Sequence, residues 1–152
     1  MSDIQAGHEK TLSALLPALA GANLIYGMGM LDMGMVLSFE QMVIDDDIAA
    51  MVKKSVRGID VNHELLAVDL IKEVGIGGHF LTAEHTLKHF RDEQIQANIF
   101  ERRIRESWEA KGSREIMQIA HEKVKQIFTT HKPTALPGDV ASELKKIVAS
   151  AE

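Results

Sequence analysis

Residues 22–40 read ANLIYGMGMLDMGMVLSFE, and what this stretch becomes decides how the rest of the chain is organised. A short apolar run, Ala22 to Tyr26, opens it. Four methionines (Met28, Met30, Met33, Met35) then alternate with three glycines (Gly27, Gly29, Gly34), and Ser38 begins a helix-start pattern. Glycine in a helix interior is about 1 kcal/mol worse than alanine, so this composition suits a strand end or a pocket lining better than a helix. Ala22 to Tyr26 is therefore expected as a short buried strand, with a buried helical turn as its rival, because periodicity cannot separate the two over so few residues. A lone strand has no partner within the chain, so its backbone groups would need one from elsewhere.

Upstream, Leu12, Leu15, Leu16 and Leu19 recur at i, i+3, i+4 and i+7, which predicts an amphipathic helix from about Gln5 to Ala20, closed by Gly21. Pro17 lies inside that pattern and should kink the helix or end it early. Downstream, Ser38 and Gln41 have capping-box spacing. A long helix should start there, carry Met42, Ile48, Val52, Val56 and Ile59 on one face, and stop at Gly58. Asp45, Asp46 and Asp47 are expected in its early turns, where the macrodipole favours negative charge, with Lys53, Lys54 and Arg57 at the other end.

Further on, Asp60 or Asn62 can cap a helix bearing Leu65, Leu66, Val68, Leu70, Ile71 and Val74, and its nearly all-round apolar surface predicts deep packing. Thr82 can cap a helix through Phe90. Ile95, Ile99, Ile104 and Trp108 mark another, ended near Gly112, and Ser113 can cap the next, with Ile116, Ile119, Ala120, Val124, Ile127 and Phe128. Pro133 and Pro137 bound an extended connector, after which Asp139 can cap a last helix with Val140, Leu144, Ile147 and Val148. The expected fold is mainly α, with six to seven helices and at most one short strand.

The bulk numbers narrow the chemistry. A chain of 152 residues can bury one sizeable core. It holds no cysteine, which removes a disulfide framework, a thiolate metal site and a Cys nucleophile, and is compatible with a cytoplasmic location. No run approaches the roughly 18 apolar residues of a membrane span, and the N-terminal residues lack the basic and apolar regions of a secretory leader. Of the net charge of −5, residues 1–76 contribute 5 Lys/Arg against 11 Asp/Glu and residues 77–152 contribute 12 against 11, so neither half has the basic excess of a nucleic-acid binder.

Several clusters invite chemistry. His85 and His89 stand at i and i+4 with His79 and Glu84 nearby, a spacing that can reach zinc, but Thr86 occupies the place where a zinc protease carries its glutamate, and a structural or surface role is the commoner reading. Gly75-Ile76-Gly77-Gly78 meets neither phosphate-loop nor dinucleotide spacing and reads as a helix-to-helix turn. Arg102, Arg103 and Arg105 alternate with Glu101, Glu106 and Glu109 as on a solvated helix face, with docking of an acidic partner as a second reading. Tyr26, the only tyrosine, is different: its face can attract methylated ammonium groups by cation–π interaction, worth about 0.5–2 kcal/mol, and the methionines supply a soft apolar wall. Asp32 and Glu40 flank that wall and can pair with a cation or take up a proton.

Four segments carry a resemblance: DIQAGHEKTLSALLPALAGANLIYG (3–27), SFEQMVIDDDIAAMVKKSVRGIDV (38–61), GGHFLTAEHTLKHFR (77–91) and the HKPTALP connector (131–137). Together they resemble the trimethylamine:corrinoid methyltransferase family, over nearly the whole chain. That resemblance implies a (β/α)8 barrel enzyme moving a methyl group from a methylamine, or from a quaternary amine such as glycine betaine, to the cobalt of a corrinoid carried by a separate partner protein. It implies no cofactor bound directly here. Closing such a barrel takes about 200 residues or more, so the chain is expected to be a C-terminal segment, with residues 1–37 as the last part of the barrel and 38–152 as an appended helical region, packed as one unit. The segment is expected to be inactive alone and to self-associate as a homo-oligomer. Tyr26, Met28, Met30 and Glu40 become the expected substrate-binding residues. No catalytic residue is identified, and the family's pyrrolysine position, where present, lies upstream, so the amine stays open between trimethylamine and glycine betaine.

Overall fold

The computed structural model describes residues 2–151. Among them the chain forms α1 (Ile4–Leu19), a two-stranded sheet of β1 (Met30–Leu31) and β2 (Val36–Leu37), then α2 (Phe39–Arg57), α3 (His63–Leu66), α4 (Val68–Val74), α5 (Glu84–Glu93), α6 (Arg105–Ala110), α7 (Ile116–Thr130) and α8 (Gly138–Ala151). The mainly helical class agrees with the sequence. The strand does not sit where expected: Ala22 to Tyr26 is irregular and exposed, and the strands come from within the Gly/Met run, antiparallel with Met30 opposite Leu37 and Leu31 opposite Val36. The two strands pair with each other, while Asn23 to Tyr26 take no part in the ladder.

The core is the seam where α2 packs against α1 and α7. Ile44, Ile48 and Val52, spaced i, i+4 and i+8 on α2, are buried with Ala120 of α7 and Ile99 of the α5–α6 connection. Ala120 has no exposed surface, so two helix backbones approach over it. Phe39 and Phe128 close one end of the seam in an edge-to-face pair with centroids 5.1 Å apart. From α1, Ala14, Leu15 and Ala18 face this core, while Leu12, Leu16 and Leu19 of the predicted stripe are exposed, as are Val56 and Ile59 beyond the packed part of α2. Pro17 falls in the last turn of α1, and the helix ends two residues after it.

α2 begins and ends as its sequence predicts. Ser38 Oγ accepts from the Gln41 N–H at 3.2 Å, and Gly58 terminates the helix with φ +75°. The reciprocal half of the capping box is absent, because the Gln41 side chain turns inward to Asp45 instead. Asn62 caps α3, accepting from the Leu65 N–H. The single deeply packed helix expected over 63–74 is instead two short ones divided at Ala67, which adopts φ +50°. Leu66, Val68 and Ile71 are about half exposed, so this region is not deeply packed. The capping assignments at Thr82 and Ser113 also move: α5 starts after Ala83, and α7 after Glu115, whose capping box with Gln118 is complete.

The helix expected over Ile95 to Trp108 shrinks to Arg105–Ala110. The cause lies in α2. Asp47, 2% exposed, accepts from the backbone N–H groups of Asn98 (3.0 Å), Ile99 (2.8 Å) and Phe100 (3.4 Å) and from the Asn98 side chain (3.0 Å). N–H groups committed to a carboxylate cannot also make helical bonds, so this segment stays irregular, with a bend at Asn98–Ile99, and inserts Ile99 into the core. No described helix is long and apolar enough to cross a membrane.

Candidate functional site

The Gly27–Met35 segment is built by left-handed turns, most of them at glycine. Gly29 is buried at φ +76°, and a Cβ placed on it would meet the Ser38 carbonyl at 2.9 Å and Met42 Cβ at 3.0 Å. Its C=O accepts from the Ser38 N–H at 2.8 Å. Across the hairpin tip, Asp32 (φ +50°), Met33 (φ +52°) and Gly34 (φ +88°) follow one another in left-handed conformation, which for residues other than glycine costs about 1–2 kcal/mol each. The tip is closed by the Met35 N–H donating to the Asp32 carbonyl at 3.0 Å.

Two charged side chains hold this segment to the helices. Asp45 of α2, 5% exposed, accepts through Oδ2 from the Gly29 N–H at 2.8 Å and from Lys10 Nζ of α1 at 3.0 Å, and through Oδ1 from Gln41 Nε2 at 2.7 Å. Lys10 Nζ also donates to the Gly27 carbonyl. Between α1 and the hairpin opens a cleft of about 440 Å³, bordered by Glu9, Ser13, Met30, Asp32 and Met33.

The expected substrate residues are placed differently from one another. Tyr26 is 84% exposed just before this anchored segment, Met28 is exposed, and Met30 is half-buried in the cleft wall. Asp32 reaches the cleft rim. Glu40 does not: its carboxylate accepts from His121 Nδ1 of α7 at 2.9 Å and from Ser38 Oγ at 3.2 Å. The hydrogen bond from His121 is the largest cause that holds the Glu40 carboxyl below the ordinary glutamate value, supported by a backbone N–H at the helix start and by Ser38.

The other clusters resolve into structure. His85 donates to the Glu64 carbonyl at 2.9 Å and His89 to the Glu64 carboxylate at 3.1 Å, with their rings 4.5 Å apart, so the pair fastens α5 to α3. Lys88 binds the same carboxylate, and its hydrogen bond is the main cause that lowers the Glu64 pKa. Among the described residues no group of three or more His, Asp or Glu is arranged to hold a metal ion. Gly75 ends α4 with φ +67° and Gly77 follows at φ +77°, well before α5 begins, so the glycine run is a turn and not a phosphate cradle. Arg103 pairs with Glu101, pulling that carboxyl down to about 2. Arg105 pairs with Glu109, and Arg102 donates to the Ile95 carbonyl at 2.8 Å.

Sequence reasoning missed Lys10, Asp45, Asp47 and His121. One signal was present: Asp45 and Asp47 lie seven and nine residues past the Ser38 cap, beyond the first turn over which the helix dipole acts.

A family model described as trimethylamine methyltransferase matches residues 1–152. The trimethylamine methyltransferase MttB of Methanosarcina barkeri is 46% identical over 150 residues, covering 99% of this chain and 30% of that protein. A protein of the same name from Desulfitobacterium hafniense (strain DSM 10664 / DCB-2) is 45% identical with the same coverage. A glycine betaine methyltransferase of Desulfitobacterium hafniense (strain Y51) is 33% identical over 148 residues, covering 97% of this chain and 31% of that protein. The chain thus spans about 30% of the length of the curated relatives it matches.

Proposed function

Since this chain belongs to the trimethylamine methyltransferase family, we propose that it supplies one wall of the site at which a methylated amine, trimethylamine or a quaternary amine such as glycine betaine, gives up a methyl group. The methyl acceptor in this reading is the cobalt of a corrinoid held by a separate partner protein. The cleft of about 440 Å³ lies within the range of small-molecule sites, roughly 300–1,000 Å³. Of the expected substrate residues only Met30 borders it, with Met28 and Tyr26 on the adjoining segment.

One observation carries the reading: an aromatic face and thioethers stand in solvent on a backbone pinned from two helices. Exposed large apolar groups on an ordered frame call for an occupant. Tyr26 presents its ring to the cation, while Met28 and Met30 supply a polarizable apolar surface that excludes water from the methyl groups. Glu40, engaged by His121 and Ser38, lies away from the cleft and makes no contact with the amine in this reading. The Tyr26 ring and the two methionines bind and orient; orientation accounts for much of the rate in such reactions, and one wall cannot supply it. The chain alone therefore binds amine weakly and does not turn over.

Titration of the chain, labelled at its methionine methyl carbons, with trimethylamine hydrochloride and with glycine betaine tests this by NMR. Selective shifts at Met28 and Met30, with a Kd on the order of millimolar, are expected, and mixing with reduced corrinoid and amine should leave the corrinoid unmethylated. Absence of any response at those methionines to either amine would defeat the reading.

A second reading, a helical interaction module that assembles into a homo-oligomer, is favoured by one observation: Leu144, Ile147 and Val148 of α8 are exposed, and α8 packs only marginally on the other helices. Sedimentation of the isolated chain decides it, with a monomer at micromolar concentration counting against.

A further inference from the structure

Met28 lies between two backbone anchors that belong to one ion pair. On its N-terminal side, the Gly27 carbonyl accepts from Lys10 Nζ; on its C-terminal side, the Gly29 N–H donates to Asp45 Oδ2, and Lys10 Nζ and Asp45 Oδ2 are themselves 3.0 Å apart. The three elements involved are far apart in sequence, since Lys10 is 17 residues from Gly27 and 35 from Asp45. Asp45 has no freedom to turn away, because Gln41 Nε2 occupies its other oxygen at 2.7 Å and the side chain is almost wholly buried. Gly29 is packed so closely that a Cβ placed on it would meet the Ser38 carbonyl at 2.9 Å and Met42 Cβ at 3.0 Å.

From this geometry we propose that Lys10 and Asp45 are positioning residues: their ion pair clamps Gly27-Met28-Gly29 at both ends and so sets the direction in which Met28, and Tyr26 just before it, face the amine. This rests on the reading that the segment lines the amine site. Lys10 also borders the cleft, but its ammonium is taken up by the Gly27 carbonyl and Asp45. The structural requirement that fixes the clamp is local: both hydrogen bonds to the segment come from charged groups, which makes them stronger than neutral ones and keeps a loop of three residues in one conformation. Removing the Lys10 ammonium releases Gly27 while Asp45 retains Gly29, so the wall loosens without unfolding the α1–α2–α7 core, whose buried residues include neither partner's apolar stem.

The test uses the full chain with labelled methionine methyls, comparing native protein with Lys10→Leu and Asp45→Asn. In Lys10→Leu the Met28 resonance is expected to shift, and peroxide oxidation of Met28, already 42% exposed, to rise by about 2-fold at most, with Met42, Met51 and Met117 unchanged. The trimethylammonium-induced shift at Met28 should weaken by a similar factor. Asp45→Asn keeps one acceptor oxygen but removes the charge that holds both the Gly29 N–H and Lys10 Nζ, and should also move Met28. An unaltered Met28 in both variants overturns the proposal, and so does a concerted change of all the methionines, which would make the pair a general determinant of the fold. Absence of an amine response in the native chain would strike the pocket reading alone, and the Met28 shifts and oxidation rates would still decide the clamp.

Discussion

The backbone N–H of Ile99 donates to Asp47 Oδ2 at 2.8 Å across 52 residues of chain, and the same carboxylate takes the N–H groups of Asn98 and Phe100. A single buried acid thereby replaces a turn of secondary structure. Asp47→Ala leaves the buried Ile99 N–H without a partner, while the more open Asn98 and Phe100 donors can turn to water, and the loss should be about 1–3 kcal/mol. Asp47→Asn keeps one acceptor oxygen but turns an NH2 toward a backbone N–H, so it should recover about half of that loss and no more. Urea denaturation of the two variants, read from the far-ultraviolet circular dichroism, gives both numbers.

A contrast between two glycines separates backbone strain from packing. At Gly77, with φ +77° and open space around it, Gly→Ala should cost about 1–2 kcal/mol from the left-handed backbone alone. At Gly29 the φ is almost the same, but the new methyl would stand 2.9 Å from the Ser38 carbonyl. Overpacking of that kind adds about 1–3 kcal/mol. Gly29→Ala should therefore lower the denaturation midpoint clearly more than Gly77→Ala, and equal effects would mean that the hairpin sits looser on α2 than its distances imply.

These two sites also show where sequence patterns carry the fold and where they fail. The bounds of α2 are legible because Ser38, a periodic apolar face and Gly58 are local signals read within one helix. The two-residue strands are not, since Met30–Leu31 and Val36–Leu37 are too short for any period to register. The irregular path from Ile95 to Ile104 is set by Asp47, far away in sequence, so a local pattern of isoleucines reads as a helix that tertiary hydrogen bonds forbid. At the candidate site, Tyr26 and the methionines stand out by composition alone. Lys10 and Asp45, which hold them, look like ordinary helix charges until α1 and α2 are brought together.

The Glu40–His121 pair makes stability depend on pH in a defined direction. The folded-state pKa of Glu40 lies below its ordinary value of 4.5, so the pair's contribution is complete above that value and is lost as the pH falls through the lowered one. Both side chains are partly open to solvent, which limits the contribution to at most about 1 kcal/mol. Glu40→Gln should therefore unfold at slightly lower urea than the native chain at pH 6, and the gap should shrink as the pH is taken progressively below 4.5. A gap that persists at the lower pH would assign the effect to the helix start and not to the ion pair.

The seam between α2 and α7 closes over Ala120, which has no exposed surface and sits among Ile44, Ile48 and Val52. Ala120→Leu adds three carbons where helix backbones are nearest, and should destabilise by about 1–3 kcal/mol or more. Ile48→Ala empties the same seam and should cost about 2–5 kcal/mol. The double variant is informative: returning volume next to the space that was removed should make the pair less harmful than the sum of the two, with a coupling of about 0.5–3 kcal/mol measured by denaturation.

Tyr26 separates binding from folding. Its side chain is 84% exposed and makes no hydrogen bond that would be missed, so Tyr26→Ala should leave stability within about 0.5 kcal/mol of native. If the ring holds a methylated ammonium group, the same change removes a cation–π contact of about 0.5–2 kcal/mol and weakens trimethylammonium binding roughly 2- to 30-fold. Tyr26→Phe keeps the π face and loses only the hydroxyl, so it should retain most of the affinity. The titrations can be followed at the labelled Met28 methyl, two residues away. Equal affinities for native, Phe and Ala forms would place the cation elsewhere on the hairpin, whereas loss in both variants would point to the hydroxyl as a hydrogen-bonding group and away from the ring.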